Sequence, residues 1–259
     1  MTRLSLTFVC HGCTLGATLD TARGTTGLLI VTGGKELRTG PFDGQAQLAA
    51  RIADAGYPVF RFDRRGIGDS EGEDPGFAHS QDDIRSAQQA FRALSPQLTK
   101  VVGWGNCDGA SALMLGAGCE LDGLILSNPW TVEDEGMAAL PPAAAIRRRY
   151  ATKLKNPREV LRLMSGKVDY RKLIRGVAKG AARSRREGKL VDAMREGLSA
   201  YDGPARILLA DADRTAQIFA EKWDQSDERV RHCPGATHAF VEPEARRFLE
   251  SALLEALAR

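Results

Sequence analysis

The sequence predicts an α/β fold: a mostly parallel eight-stranded sheet, helices on both faces, and a helical cap inserted late in the chain. Three observations carry this expectation. Short apolar runs alternate with longer amphipathic stretches from Gly27 to Ser127, and again from Ala205 to the end. Several of the apolar runs end in small-residue or acidic turns of the kind that join a strand to a helix. Between Trp130 and Tyr201 the alternation stops and basic helical stretches take its place. Strands joined by crossover helices must run parallel and be covered on both faces.

The elements follow in order. Leu4 to Val9 and Thr14 to Leu19 read as an opening hairpin, and Gly27 to Val31 as a buried strand. Asp43 to Gly56 has Leu48, Ile52 and Ala55 on one helical face. Pro58 to Phe62 is the next strand, and Gln81 to Leu94 a helix with Ile84, Ala87 and Phe91 at helical spacing. Lys100 to Gly103 and Gly123 to Ser127 are strands flanking a small-residue helix, Asp108 to Gly118. After the insertion come a strand at Ala205 to Ala210, a helix near Thr215 to Trp223, a short strand at Glu228 to His232 and an amphipathic helix at Glu242 to Ala258. The expected division is a core of residues 1–129 and 203–259 with a cap of residues 130–202, in which Leu161, Met164, Val168 and Leu173 supply apolar packing.

Composition narrows the class. With 259 residues, 43% hydrophobic and 27% charged, the chain can bury one α/β core plus an insertion. No apolar run reaches the roughly 20 residues needed to span a bilayer. The first 19 residues are interrupted by Ser5, Thr7, His11 and Gly12 and make a poor signal peptide. Five cysteines, an odd number, argue against a disulfide scaffold and for a reducing, cytoplasmic compartment. The net charge of +3 is unevenly spread: between Arg147 and Arg195 stand 17 Lys or Arg against Glu159, Asp169, Glu187 and Asp192. That segment carries about +13 and leaves the remainder at about −10.

The chemistry centres on Gly103-Trp104-Gly105-Asn106-Cys107-Asp108-Gly109-Ala110. Lying between a strand and a helix, it matches G-x-S-x-G with cysteine in place of serine. Such a turn holds its nucleophile in a strained backbone conformation, and only small residues fit two positions to either side. It would set Cys107 at the positive end of a helix, which favours a thiolate. Asp108 opposes this unless its charge is paired or directed away. The alternative is a tight turn with an incidental cysteine.

A general base is expected in the loop before the last helix, where His238 stands in Gly235-Ala236-Thr237-His238-Ala239-Phe240. His232, at a strand end, is second; His79, before a helix, and His11, in the hairpin, read as structural. The orienting acid should follow the strand ending at Ala210, and spacing favours Asp213 over Asp211. Oxyanion donors are expected from the N–H of Asp108 and from Thr32-Gly33-Gly34, with Gly34 ahead of Gly33. Trp104 and Trp130 could line a substrate pocket, with core packing as the alternative.

Gly33-Gly34, Asp63 to Ser70, Gly105 to Gly109, Asp213 and Gly235 to His238 occur in the order found in α/β-hydrolases, and the chain resembles that superfamily over nearly its whole length. The D-x-R-G-x-G-x-S-like run Asp63-Arg64-Arg65-Gly66-Ile67-Gly68-Asp69-Ser70 is, by that resemblance, a structural brace. More narrowly, Gly105-Asn106-Cys107-Asp108-Gly109, Ser127-Asn128-Pro129-Trp130 and Asp213-Arg214-Thr215-Ala216-Gln217 are similar to the first type of exosortase A system-associated hydrolase. This resemblance implies a setting near exopolysaccharide synthesis and PEP-CTERM protein sorting. It names no substrate. Cysteine at the same turn occurs in dienelactone hydrolases and polyhydroxyalkanoate synthases, so hydrolysis and acyl transfer both stay open.

The expected chemistry is attack of Cys107 on an ester or thioester, with no metal and no cofactor. A catalytically silent binding protein is the alternative from another class. The basic segment would steer an anionic substrate such as an acyl thioester or a lipid-linked saccharide, or touch an anionic membrane surface, or simply be solvated. Nucleic acid is not expected, because no recognition motif accompanies the charge. Cys10-His11-Gly12-Cys13 is a single C-x-x-C without the second pair that a structural zinc site needs. Cys119 and Cys233 read as small buried hydrophobes.

Overall fold

The computed structural model describes residues 1–132 and 188–259. The expected cap, with Leu161, Met164, Val168 and Leu173, falls for the most part outside the described residues. The chain divides into one compact unit of Met1–Thr131 with Ala193–Arg259 and a second of Val132–Asp192. The first unit contains every element below except the start of one helix.

Eight strands form one sheet in the order β1-β2-β4-β3-β5-β6-β7-β8. They are β1 (Arg3–Cys10), β2 (Cys13–Asp20), β3 (Thr26–Val31), β4 (Val59–Phe62), β5 (Lys100–Asn106), β6 (Gly123–Ser127), β7 (Ala205–Ala210) and β8 (Val230–Cys233). β2 runs antiparallel to both its neighbours, and all the other pairings are parallel. The hairpin turn is two residues, with His11 and Gly12 both at positive φ, so Cys10 and Cys13 face each other across the ladder.

The helices are α1 (Gly44–Asp54), α2 (Gln81–Leu94), α3 (Asp108–Leu115), α4 (188–199), α5 (Arg214–Lys222) and α6 (Pro243–Leu257). The period-2 alternation of the strands sorts the core into two layers. Leu28, Ile30, Val59, Val102, Trp104, Ile125 and Leu208 cluster with Leu48 and Ile52 of α1 and Leu249, Leu253 and Leu257 of α6. Their neighbours in sequence turn to the opposite face, where α2 and α3 pack; Phe60 stacks on Phe91 of α2 with ring centroids 5.4 Å apart. The central strands are therefore buried on both sides, which explains their unbroken apolar runs.

Most boundaries shift by one or two residues from expectation, and the largest shifts are at β5 and α3. β5 continues past Gly103 to Asn106, because Gly105 and Asn106 still pair with Leu126 and Ser127 of β6. α3 ends at Leu115, and Ala117–Glu120 forms a 3-10 turn in which Gly118 and Cys119 take positive φ. His79 lies in another such turn, Phe77–His79, before α2. Cys119 and Cys233 are buried as expected. Among the described residues no helix is long and apolar enough to cross a membrane.

Candidate active site

A parallel sheet delivers the loops after its strands to one edge. Here β3, β5, β6, β7 and β8 send Gly33-Gly34, Cys107, Asn128, Asp213 and His238 to that edge.

Cys107 is the hinge between β5 and α3, with φ 57° and ψ −126°. A non-glycine residue there costs roughly 1–3 kcal/mol and persists only because its surroundings enforce it. The Cys107 N–H donates to Ser127 O at 2.9 Å, and its carbonyl accepts from Trp130 N at 3.2 Å. The flanking glycines are steric requirements. A Cβ on Gly105 would lie 2.6 Å from Ala110 N, and one on Gly109 would lie 2.5 Å from Val31 O. A Cβ on Gly33 would meet Cys107 Cβ at 2.8 Å, so the loop after β3 touches the thiol-bearing residue directly.

His238 Nδ1 lies 3.0 Å from Asp213 Oδ2. The Cys107 thiol neighbours the imidazole and is one of the groups that raise its pKa. Burial alone would lower the His238 pKa, but the hydrogen bond to Asp213 and the neighbouring Cys107, together with their charges, raise it to about 10. Burial likewise pushes the Asp213 carboxyl up; the bond and charge of His238, with the N–H groups of Ala216 and Thr215, hold it below its ordinary value. Asp213 doubles as the N-cap of α5, accepting from Ala216 N at 3.0 Å. Asp211 is elsewhere: its Oδ1 is 2.7 Å from His232 Nδ1 in an exposed pair. The structure thus brings together Cys107, His238 and Asp213, and leaves Asp211 and His232 apart. His11 pairs with Asp82 on the surface at 2.9 Å.

The Asp108 N–H heads α3, where the first amides lack helical partners. The Gly34 N–H is already engaged, donating to Asp108 Oδ1 at 2.7 Å. Asp108 also accepts from Arg64 Nη2 at 3.2 Å, and the same Nη2 donates to the Gly34 carbonyl. The charge of Asp108 is therefore paired rather than left facing the thiol, and Arg64, at 2% exposure, is more than a brace. The rest of the loop after β4 is scaffold: buried Asp63 accepts from Arg38 N at 2.6 Å and from Asp69 N at 3.2 Å.

Asn128, which the sequence offered only as part of the Ser127-Asn128-Pro129-Trp130 resemblance, has a role that the motif did not assign. Fully buried and at φ 46°, it donates from Nδ2 to His238 O (3.0 Å) and Asn106 Oδ1 (3.2 Å), and its Oδ1 accepts from Ala210 N at 2.9 Å. One side chain thereby ties the ends of β5 and β7 to the histidine loop. A buried Asn at a strand end, just before a Pro, was the available signal.

Trp104 is a core residue whose Nε1 donates to Ser127 Oγ at 2.9 Å, yet it also walls a cavity of about 400 Å³. Glu36, Phe42, Asn106, Phe240 and Arg246 share that wall, and Asn106 and Ala239 are the chain neighbours of Cys107 and His238. Trp130 is half-buried, its carbonyl accepting from Ser111 Oγ at 2.8 Å. Among the described residues no cluster of His, Cys, Asp or Glu is arranged to hold a metal ion.

Comparison with known families agrees with this geometry. Residues 30–251 match the model of the Alpha/beta hydrolase family. The chain belongs to that family. Solved structures share the fold at low identity. An alpha/beta hydrolase from Penicillium sp. sh18 aligns with a TM-score of 0.66 at 16% identity over 100% of both chains. Est1E from Butyrivibrio proteoclasticus, solved with ferulic acid bound, aligns at 0.63 and 15%, covering 98% of this chain and 100% of its own. An esterase from Pyrococcus furiosus aligns at 0.60 and 14%, covering 100% and 91%. Comparison with curated proteins finds no match. As an alpha/beta hydrolase, the chain places cysteine at the turn after β5, where the motif has serine.

Proposed function

We propose that this alpha/beta hydrolase cleaves ester or thioester bonds through an acyl-enzyme on Cys107. The observation that supports it best is the contact between three side chains from three separate loops: Asp213 to His238 at 3.0 Å, and His238 to the thiol held at the strained turn. In this reading Asp213 orients the imidazole through Nδ1, which leaves Nε2 for the thiol. His238, an imidazolium in the resting site, already holds the thiol proton, and the thiolate attacks the carbonyl carbon. The oxyanion is stabilised by the Asp108 N–H and, from the loop after β3, by Gly34 with Gly33 as the alternative. As the intermediate collapses, His238 protonates the leaving alcohol or thiol. Water, activated by the same imidazole, then releases the acid and restores the thiol.

The sequence resemblance adds a setting. The exosortase-associated likeness implies a neighbourhood close to exopolysaccharide synthesis and protein sorting, and in our reading the substrate is a thioester or lipid-linked. The basic segment between Arg147 and Arg195 would draw in such an anion.

The test is steady-state turnover of short-chain p-nitrophenyl esters and acyl-CoA thioesters. Wild-type protein should turn over at least one of the two, and Cys107→Ala and His238→Ala should each lose about 10³-fold or more. Unchanged turnover by Cys107→Ala would overturn the proposal. Adding alcohols or amines and analysing products separates hydrolysis from acyl transfer.

A further inference from the structure

Asp108 occupies the place where a substrate oxygen would have to go. Its Oδ1 sits 2.7 Å from Gly34 N, a full hydrogen bond to the donor that the proposed mechanism needs. The contact is built rather than incidental. Arg64 is buried, and its Nη2 holds both the Asp108 carboxylate (3.2 Å) and the Gly34 carbonyl. The remaining guanidinium nitrogens of Arg64, Nε and Nη1, have no partner among the described residues. One guanidinium therefore fastens the acceptor and the loop that donates to it. Gly33, next in the chain, is already against Cys107, so the loop has little room to retreat.

A carboxylate in this place has two consequences. It uses the N–H that a tetrahedral oxyanion would use, and it sets a negative charge where negative charge must develop. Glu36 is a second carboxylate nearby: burial raises its pKa, the charge of His238 opposes the rise, and the charge of Asp108 adds to it.

We infer that Asp108 is a specificity-determining residue whose carboxylate fills the oxyanion position, so that only a carbonyl substrate able to displace it from the Gly34 N–H acylates Cys107. The residue thereby discriminates against small activated esters, whose few contacts cannot drive the displacement, and in favour of larger substrates that can. The inference rests on the reading of Cys107 as the acyl acceptor.

The experiment compares two reactions of the same thiol. Iodoacetamide alkylates Cys107 by displacing iodide at carbon and needs a thiolate but no oxyanion donor. p-Nitrophenyl acetate acylates it through a tetrahedral oxyanion. The ratio of the two rates isolates the oxyanion site from any effect of Asp108 on the thiolate. Asp108→Ala vacates the site; Asp108→Asn removes the charge but keeps an oxygen able to accept from Gly34 N. The ratio should rise about tenfold or more in Asp108→Ala and by a smaller factor in Asp108→Asn, which relieves the charge but leaves an acceptor on the Gly34 N–H. If Asp108→Ala melts too low to assay once Arg64 loses its partner, Asp108→Ser replaces it, its hydroxyl one bond shorter than the carboxylate. An unchanged or lower ratio in a folded Ala or Ser variant overturns the inference and leaves the acyl-enzyme standing if wild type still acylates. Alkylation without acylation in wild type and every variant overturns the acyl-enzyme reading, and the inference with it. Acylation of the Ala variant alone supports both.

Discussion

The most consequential single residue is His238, because its protonation couples the site to stability as well as to chemistry. Its folded pKa, about 10, lies above the ordinary 6.5, so its contribution to stability is complete below 6.5 and is lost as pH rises through about 10. Asp213 has the opposite sense: lowered on folding, it contributes above its ordinary 3.8 and loses that contribution as pH falls through its folded value. The melting-temperature gap between wild type and Asp213→Asn should therefore be widest between pH 3.8 and 6.5 and should close toward pH 10. A gap that widens with rising pH would mean that the imidazole is neutral in the native state. The choice between Asp213 and Asp211 also belongs to this scale. Spacing favours Asp213 in the sequence, but only the fold shows Asp211 turned to His232.

At the scale of elements, the loops after β5, β6, β7 and β8 work as a unit because Asn128 joins them. Two of its three hydrogen bonds are buried, so Asn128→Ala would strand Ala210 N and leave the His238 carbonyl with only the longer bond from Asn106 Nδ2 at 3.4 Å. A stability loss of about 2–4 kcal/mol is expected, read by chemical denaturation, with a fall in turnover larger than any rise in KM. Gly109→Ala tests the close approach of α3 to β3. With Val31 O only 2.5 Å from the added carbon, α3 must shift, and both melting temperature and thiol reactivity should drop. The glycines of this turn were legible in the sequence because steric need fixes residue type. The network of Asn128, and the pairing of Arg64 with Asp108, were not. Both join residues far apart in the chain, and neither spacing nor periodicity encodes a contact between loops.

For the whole molecule, the alternation of apolar runs and helical stretches was enough to read all eight strands and the two-sided burial of the central ones. Strand ends were less legible, since β5 is prolonged to Asn106 by pairing with β6, a tertiary contact. The two core layers should tolerate damage independently of the site. Phe91→Ala, which removes the ring stacked on Phe60, should cost about 3–5 kcal/mol in denaturation while leaving turnover per folded molecule unchanged. The charge asymmetry gives a separate expectation. With about +13 between Arg147 and Arg195, kcat/KM for an acyl-CoA thioester should fall steeply as salt is raised, and that for a neutral ester should barely change. Equal salt dependence for the two substrates would rule out steering by that segment.

The most direct test of the central claim is the intact mass of the protein after brief exposure to activated esters and acyl-CoA thioesters, followed by peptide mapping. The account predicts a single acyl adduct on Cys107, absent from Cys107→Ala and strongly reduced in His238→Ala. An adduct on any other residue, or turnover of the same substrates by Cys107→Ala, would contradict it.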